Sequence, residues 1–193
     1  MKLSIALPVY NMPRGDFFLK RALKSLEDQT FQDFEVVVTN DGKMAENTNS
    51  AIKQSKGEFI KILYQDDYLT HKDSLRKIVY ALTDTTQWLV TGCTHDPGGR
   101  PHLPVWNENI KEVNTIGSPS VLTIRNDHPL LFDEELSWLL DCDYYKRMHA
   151  KFGFPVFLND INVTLGVGDH QMTHILTDQE KLNEHNYVRN KYN

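Results

Sequence analysis

Two adjacent carboxylates follow an apolar stretch in the first half of the chain. Residues 58–64 predict a buried strand, and Asp66 and Asp67 come directly after it. Carboxylate oxygens are the ligands that Mg²⁺ and Mn²⁺ prefer, and these ions often share the phosphates of a substrate. Because neighbouring carboxylates repel each other, the pair suits a place where a cation or hydrogen-bond donors neutralise its charge. A solvated turn is the alternative interpretation.

Alternating strand and helix patterns would position this pair. The predicted strands of the first half cover residues 3–9, 34–39, 58–64 and 88–90, and its helices cover 16–29, 45–56 and 73–83. The second half predicts strands at 120–125, 156–158 and 161–165 and a helix at 140–151. The order predicts βαβ units, and therefore an α/β fold with a mostly parallel sheet flanked by helices.

Polar residues follow three of the predicted strands. They are Tyr10-Asn11, Asn40-Asp41 and Asp66-Asp67. Ligands of parallel sheets bind beyond the carboxyl ends of the strands. We therefore expect these residues to converge on one site.

Composition limits the classes of function. The 193 residues, 40% of them hydrophobic, are typical of one globular domain. A net charge of −5 without a basic run argues against a nucleic-acid partner. No stretch approaches the roughly 18 apolar residues of a membrane helix, so we expect no membrane insertion and a cytoplasmic location. Cys93 and Cys142 are far apart in sequence and fit reduced thiols, with a disulfide as the alternative.

Short motifs in a fixed order resemble the family 2 glycosyltransferases, which have the GT-A fold. The first block contains Pro8-Val9-Tyr10-Asn11, Ser25 to Thr30, Phe34 to Val38, Asn40-Asp41-Gly42, Asn49, Gly57 to Ile60 and Asp66-Asp67. The second block, residues 120–125, 132–136 and 141–147, is similar to the acceptor-side half of that family. Each fragment is weak alone, and the order makes the set specific. The resemblance implies one GT-A, Rossmann-like domain over residues 1–193, with a nucleotide-sugar-binding half at 1–92 and an acceptor-side half and tail at 93–193.

The resemblance implies a nucleotide-sugar donor. Asp41 would hydrogen-bond the nucleobase, and because an Asp suits a uracil edge, a UDP-sugar is expected. The residues implied in donor binding are Pro8, Val9, Tyr10, Asn11, Asp41, Asn49 and Asp66. Asn-Asp-Gly is also a turn signal, so a carboxylate that only bonds local backbone is the alternative for Asp41.

A metal ion, Mn²⁺ or Mg²⁺, is also implied. The family often reads Asp-x-Asp-Asp at its metal site, and here Tyr64 replaces the first acid. That leaves Asp67 as the direct ligand, with Asp66 contacting the ribose or a metal-bound water. In such enzymes a histidine or acid from the C-terminal region often completes the metal shell, and His170 is the candidate here, with His174 as the alternative.

Helix geometry separates two acids near the start of the 140–151 helix. Residues two apart point about 200° from each other, so only one of Asp141 and Asp143 can face a substrate. Asp143 stands four residues before Arg147, the spacing of a surface ion pair. The catalytic base of the family typically stands six residues before an arginine, as Asp141 does, so the resemblance implies Asp141 as the base. The chain departs from the family at Leu140, where a Glu is usual, and at Thr48, where an arginine is common.

Together these features predict a metal-dependent inverting glycosyltransferase of the hexosyltransferase type. Asp141 would take the proton from an acceptor hydroxyl, on a saccharide or another compound, and the irregular segment 93–116 would contact that acceptor. A degenerate module that binds nucleotide sugars without catalysis is one alternative, because of the departures from the family pattern. A nucleotidyltransferase is less favoured, because residues 10–15 lack the Gly-rich basic phosphate loop of that class.

Overall fold

The computed structural model of the chain describes residues 1–192. The strands in this part of the chain are β1 (Leu3–Pro8), β2 (Phe34–Thr39), β3 (Phe59–Ile62), β4 (Tyr68–Leu69), β5 (Trp88–Asp96), β6 (Leu122–Arg125) and β7 (Val156–Gly166). The helices are α1 (Gly15–Glu27), α2 (Met44–Gln54), α3 (Ser74–Ala81), α4 (Leu140–Phe152), α5 (Met172–Ile175) and α6 (Asp178–Tyr192). The strands and helices predicted for the first ninety residues are present, and most of their ends differ by one or two residues. The exception is β5, which continues six residues beyond its predicted end at Val90 and therefore includes the start of the segment 93–116, which was expected to be irregular. The two short strands predicted near residue 160 form one strand, β7.

The strands form a single sheet in the order β2-β1-β3-β6-β5-β7-β4. The pairs β1–β2, β1–β3 and β5–β7 are parallel. β6 runs antiparallel to both β3 and β5, and β4 runs antiparallel to β7. The predicted α/β fold with a sheet flanked by helices is confirmed. The sheet is mixed because β6 inserts antiparallel between two parallel groups and β4 adds an antiparallel edge.

Apolar burial explains why β1 and β3 lie at the centre of their half of the sheet. Every residue of both strands is buried. Gly57, just before β3, allows the backbones to approach, because a Cβ there would lie 2.5 Å from the backbone of Leu3 and Ser4. β1 and β3 therefore end side by side, and the loops that follow them carry Tyr10 and Asp66 to the same edge of the sheet.

Two further sequence expectations concern membrane spans and thiols. Within residues 1–192, every helix is too short or too polar to cross a bilayer. Cys93 and Cys142 are both buried free thiols, so the alternative of a disulfide between them is wrong.

Candidate active site

A cavity of about 310 Å³ opens at the edge of the sheet where β1, β3 and β7 end. Its walls come from the loops after these strands, from segment 112–119 and from the first turn of α4. The predicted site residues that line it are Tyr10, Asp66, Asp67, Asp141 and His170. The fold therefore brings the predicted base and the predicted metal ligands to one cavity, although they are far apart in sequence.

A neighbouring depression of about 330 Å³ contains others of the predicted donor-binding residues. Val9 and Asn11 line it with Asn40, and it shares Tyr10 and Gln65 with the first cavity. Pro8, the last residue of β1, is buried beneath this region. Of the Pro-Val-Tyr-Asn stretch, Tyr10 therefore lines both cavities, Val9 and Asn11 line only the second, and Pro8 lines neither.

Asp41 and Asn49 line neither of these two cavities. The exposed carboxylate of Asp41 accepts a hydrogen bond from the hydroxyl of Ser50 at 2.5 Å, which is a local contact. The buried amide of Asn49 donates to the Phe132 carbonyl and to the Glu134 carboxylate, both at 2.9 Å, and accepts from the Phe132 N–H. The structure gives Asn49 a framework role, joining α2 to the segment before α4, in place of the expected donor contact.

Asp66 and His170 are bonded to each other. Asp66 Oδ2 lies 2.9 Å from His170 Nε2, and this hydrogen bond raises the pKa of His170 above its ordinary value. The imidazole also packs against the ring of Phe18, with centroids 4.9 Å apart. Arg21 donates to the backbone carbonyl of Asp66 at 2.6 Å, which fixes the loop that carries both acids. His174, the alternative to His170, does not line this cavity.

Asp67 is a buried carboxylate with defined partners. It is 3% exposed, and its Oδ1 accepts from the backbone N–H of Gly166 at 2.8 Å. Burial first, and the charge of Asp66 next, raise the pKa of Asp67 well above its ordinary range. Gly166 allows this approach, because a Cβ there would collide with the carbonyl oxygen of Asp66. Burial lowers the pKa of Lys61 to about 7, and its charge acts against the rise at Asp67.

The side chains at this end of the cavity carry atoms that can ligate a divalent cation. Carboxylates of Asp66 and Asp67 and the imidazole of His170 are ligands that Mn²⁺ accepts, and Mg²⁺ accepts the carboxylates. Across residues 1–192, however, no three His, Cys, Asp or Glu side chains are grouped as a metal site. The side chains therefore match such an ion in chemistry, and substrate phosphates or water would have to supply the remaining ligands.

Asp141 lies in the first turn of α4, with both carboxylate oxygens oriented. Oδ1 accepts from the N–H of Cys142 at 2.7 Å, and Oδ2 accepts from Asn114 Nδ2 at 2.6 Å. Asn114 is itself fixed, because its side chain donates to the carbonyl of Gly117 and accepts from the Gly117 N–H. Burial raises the pKa of Asp141 to about 6, although these hydrogen bonds act in the opposite direction. A carboxylate with such a pKa suits a general base near neutral pH.

The two acids of α4 have separate environments. Asp143 is 0% exposed, and its carboxylate accepts from Arg147 Nε of the same helix at 2.7 Å. It also accepts from two groups of α6, Lys191 Nζ at 2.7 Å and the Tyr192 hydroxyl at 2.6 Å. The predicted pair with Arg147 is present. Its predicted surface location is wrong, because α6 covers it.

Several residues of the cavity were not predicted. Asn114 belongs to the irregular segment 93–116, which was expected to contact an acceptor, but no motif marks this residue. Trp138 lines the cavity just before α4. Gln65 is buried and accepts from the N–H of Tyr10 at 2.7 Å, so it joins the loops after β1 and β3. These roles depend on contacts between distant segments, which leave no local signal.

Comparison with known proteins adds evidence on the fold. No family model matches the chain. The chain is 32% identical over 65 residues to the uncharacterized glycosyltransferase RC0461 of Rickettsia conorii, a match that covers 34% of this chain and 10% of that protein. The structure of S. aureus TarS 1–349 in complex with UDP-GlcNAc superposes with a TM-score of 0.70 at 20% identity, over 97% of this chain and 65% of that one. The mannosyltransferase PcManGT of Pyrobaculum calidifontis, in complex with GDP-Man and Mn²⁺, superposes with a TM-score of 0.61 at 13% identity, over 90% and 58%.

The chain shares its fold with these two solved structures, one of which is a mannosyltransferase. The superpositions carry this conclusion, and the match to RC0461 agrees with it. The chain spans about a tenth of the length of the curated relative and less than two thirds of the length of these two solved structures.

Proposed function

We propose that this chain is a GT-A glycosyltransferase of family 2, which transfers a sugar from a UDP-sugar to an acceptor hydroxyl with inversion at the anomeric carbon. One observation carries the proposal: Asp141 lines the same cavity as Asp66, Asp67 and His170. The shared fold supports it, because two of the superposed structures contain nucleotide sugars.

Asp141 is suited to act as the base. Asn114 and the N–H of Cys142 orient its two oxygens, and its pKa of about 6 leaves it ionised at neutral pH. Asp141 would accept the proton of the acceptor hydroxyl as that oxygen bonds to the anomeric carbon. The bond from this carbon to the donor phosphate breaks on the opposite side, and the nucleoside diphosphate leaves with the bonding electrons.

Asp67, with His170, would hold a divalent cation, which supplies positive charge to the leaving group. Asp66 keeps His170 oriented through their hydrogen bond. Val9, Tyr10 and Asn11 would support the nucleotide.

Asp41 remains the proposed contact to the nucleobase. It stands next to Asn40, which lines the depression beside the cavity. Ser50 donates to only one of its two carboxylate oxygens, Oδ2. The other oxygen is therefore the one proposed to accept a hydrogen bond from a uracil.

A thermal-shift experiment tests the donor and the metal together. Wild-type protein is expected to gain stability from UDP with Mn²⁺, by about 2.7 kcal/mol at a hundredfold excess over Kd. GDP, CMP and dTDP are the comparison nucleotides. Asp67→Asn should lose the Mn²⁺-dependent part of the stabilisation by UDP. It should keep its fold, because an amide oxygen can still accept a hydrogen bond from the N–H of Gly166. Asp84→Asn, a change on the α3–β5 connection, is the matched control.

The outcomes separate the alternatives. Failure of every nucleotide to stabilise the wild type would contradict the proposal. An equal Mn²⁺-dependent gain in Asp67→Asn would remove Asp67 from the metal site. Stabilisation by UDP-sugars without any sugar release or transfer would instead support the non-catalytic binding module.

A further inference from the structure

The backbone that leads into α4 is held by a carboxylate from the last helix. Glu184 of α6 accepts hydrogen bonds from the N–H groups of Ser137 at 2.9 Å, Trp138 at 2.9 Å and Leu139 at 2.8 Å. Hydrogen bonds to an ionised carboxylate are stronger than those between neutral groups. Leu139, the N-cap residue of α4, makes no capping bond with its own side chain, so Glu184 supplies the acceptor at this helix end.

The same backbone forms one wall of the candidate active site. Ser137, Trp138 and Leu139 line the cavity, and Asp141 follows two residues after Leu139. A shift of this turn would therefore move Asp141 relative to a bound acceptor. A misplacement of about 1 Å can lower the rate of a reaction by about 10²-fold.

Some of the other contacts that fasten α6 do not reach the cavity wall, although Arg189 of α6 pairs with Glu112, which lines the cavity. Val188 is its one buried residue among those described, so polar bonds carry much of the docking. The hydroxyl of Tyr187 donates to Asp133 Oδ2 at 2.9 Å, and Lys191 pairs with the same carboxylate. Asp133 does not line the cavity. The docking of α6 can therefore be weakened without removal of the bonds that Glu184 makes.

We infer that Glu184 is a positioning residue for the proposed sugar transfer: it holds the turn 137–139 and thereby Asp141, without touching substrate. The inference rests on the proposed function for its kinetic consequence. Its structural consequence, that the N–H groups of residues 137–139 are protected by Glu184, does not depend on any activity.

The test compares Glu184→Ala, Glu184→Gln and the matched control Tyr187→Phe. Hydrogen exchange should show faster exchange of the amides of residues 137–139 in Glu184→Ala, with α6 still protected. With a UDP-sugar donor, kcat should fall about 10- to 100-fold while KM for the donor stays within about twofold. Glu184→Gln keeps one acceptor oxygen and should lie between Ala and wild type, and Tyr187→Phe should remain within about twofold of wild type.

Unchanged exchange at residues 137–139 in Glu184→Ala would overturn the inference. So would a wild-type kcat in that variant, or equal losses of kcat in Glu184→Ala and Tyr187→Phe, which would mean that Glu184 only docks α6. If the wild type transfers no sugar from any donor, the proposed function fails, and the exchange experiment alone decides whether Glu184 holds the turn.

Discussion

The hydroxyl oxygens of Thr48 and Tyr64 lie 3.3 Å apart in the protein interior. At these two positions the family 2 pattern often has an arginine and an acid. In this chain the two positions hold a neutral hydrogen-bonded pair. An acid introduced alone at position 64 would be a buried charge without a cationic partner.

Tyr64→Asp alone is therefore expected to lower the free energy of unfolding more than Tyr64→Asn, which has the same shape without the charge. The added loss should approach about 3–5 kcal/mol, the cost of an unpaired buried charge. Thr48→Arg introduced with Tyr64→Asp should recover part of it. Urea denaturation of the singles and the double variant measures the coupling. Additive effects would show that the two positions are independent.

Asp141→Asn should abolish most transfer and leave UDP binding unchanged. A general base contributes about 10²–10⁴-fold to rate. The base must be ionised, and its pKa lies at about 6, so wild-type kcat/KM should rise as the pH increases through about 6 and then level off. The residual activity of Asp141→Asn should lack this rise. A wild-type profile that is flat across this range would exclude Asp141 as the titrating base.

Asn114→Ala should move the acid limb of the same pH profile to higher pH. The hydrogen bond from Asn114 lowers the pKa of Asp141, so its removal leaves burial less opposed and the pKa higher than about 6. At neutral pH the rate should fall about tenfold, since the carboxylate is also less well oriented. Asn109→Ala, an exposed change in the same segment, is the control. An unmoved acid limb in Asn114→Ala would contradict this account.

Asp143→Asn should lower stability, whereas Asp141→Asn should lower activity. Asp143 is buried and accepts from Arg147, Lys191 and Tyr192, so the variant takes the carboxylate from Arg147 and leaves Lys191 with that of Asp133. Both cations are about a quarter exposed, which reduces the expected loss to about 2–3 kcal/mol. Asp160→Asn breaks an exposed pair with Lys77 and should change stability by less than about 0.5 kcal/mol. Chemical denaturation measures the loss of stability in each variant. Similar losses in Asp143→Asn and Asp160→Asn would contradict the buried location of Asp143.

Features that depend on neighbouring residues could be predicted from the amino-acid sequence. Apolar runs and helical periods located the strands and helices, because burial on a sheet or along a helix face repeats over two to four residues. The polar residues after β1 and β3 were predicted to converge because parallel strands end at a common edge. Helix geometry alone separated Asp141 from Asp143, and the structure places the first in the cavity and the second beneath α6.

Features that join distant segments of the chain became visible only in the folded protein. The antiparallel insertion of β6 between β3 and β5, the buried amide of Asn49, and the bonds from Asn114 to Asp141 and from residues 137–139 to Glu184 are of this kind. Each depends on where two separate parts of the chain come to lie. A lone Asn or Glu has the same neighbours in sequence whether its side chain faces solvent or bonds a buried partner. Its contacts are decided when the hydrophobic core packs, because each buried polar group must then find a hydrogen-bond partner.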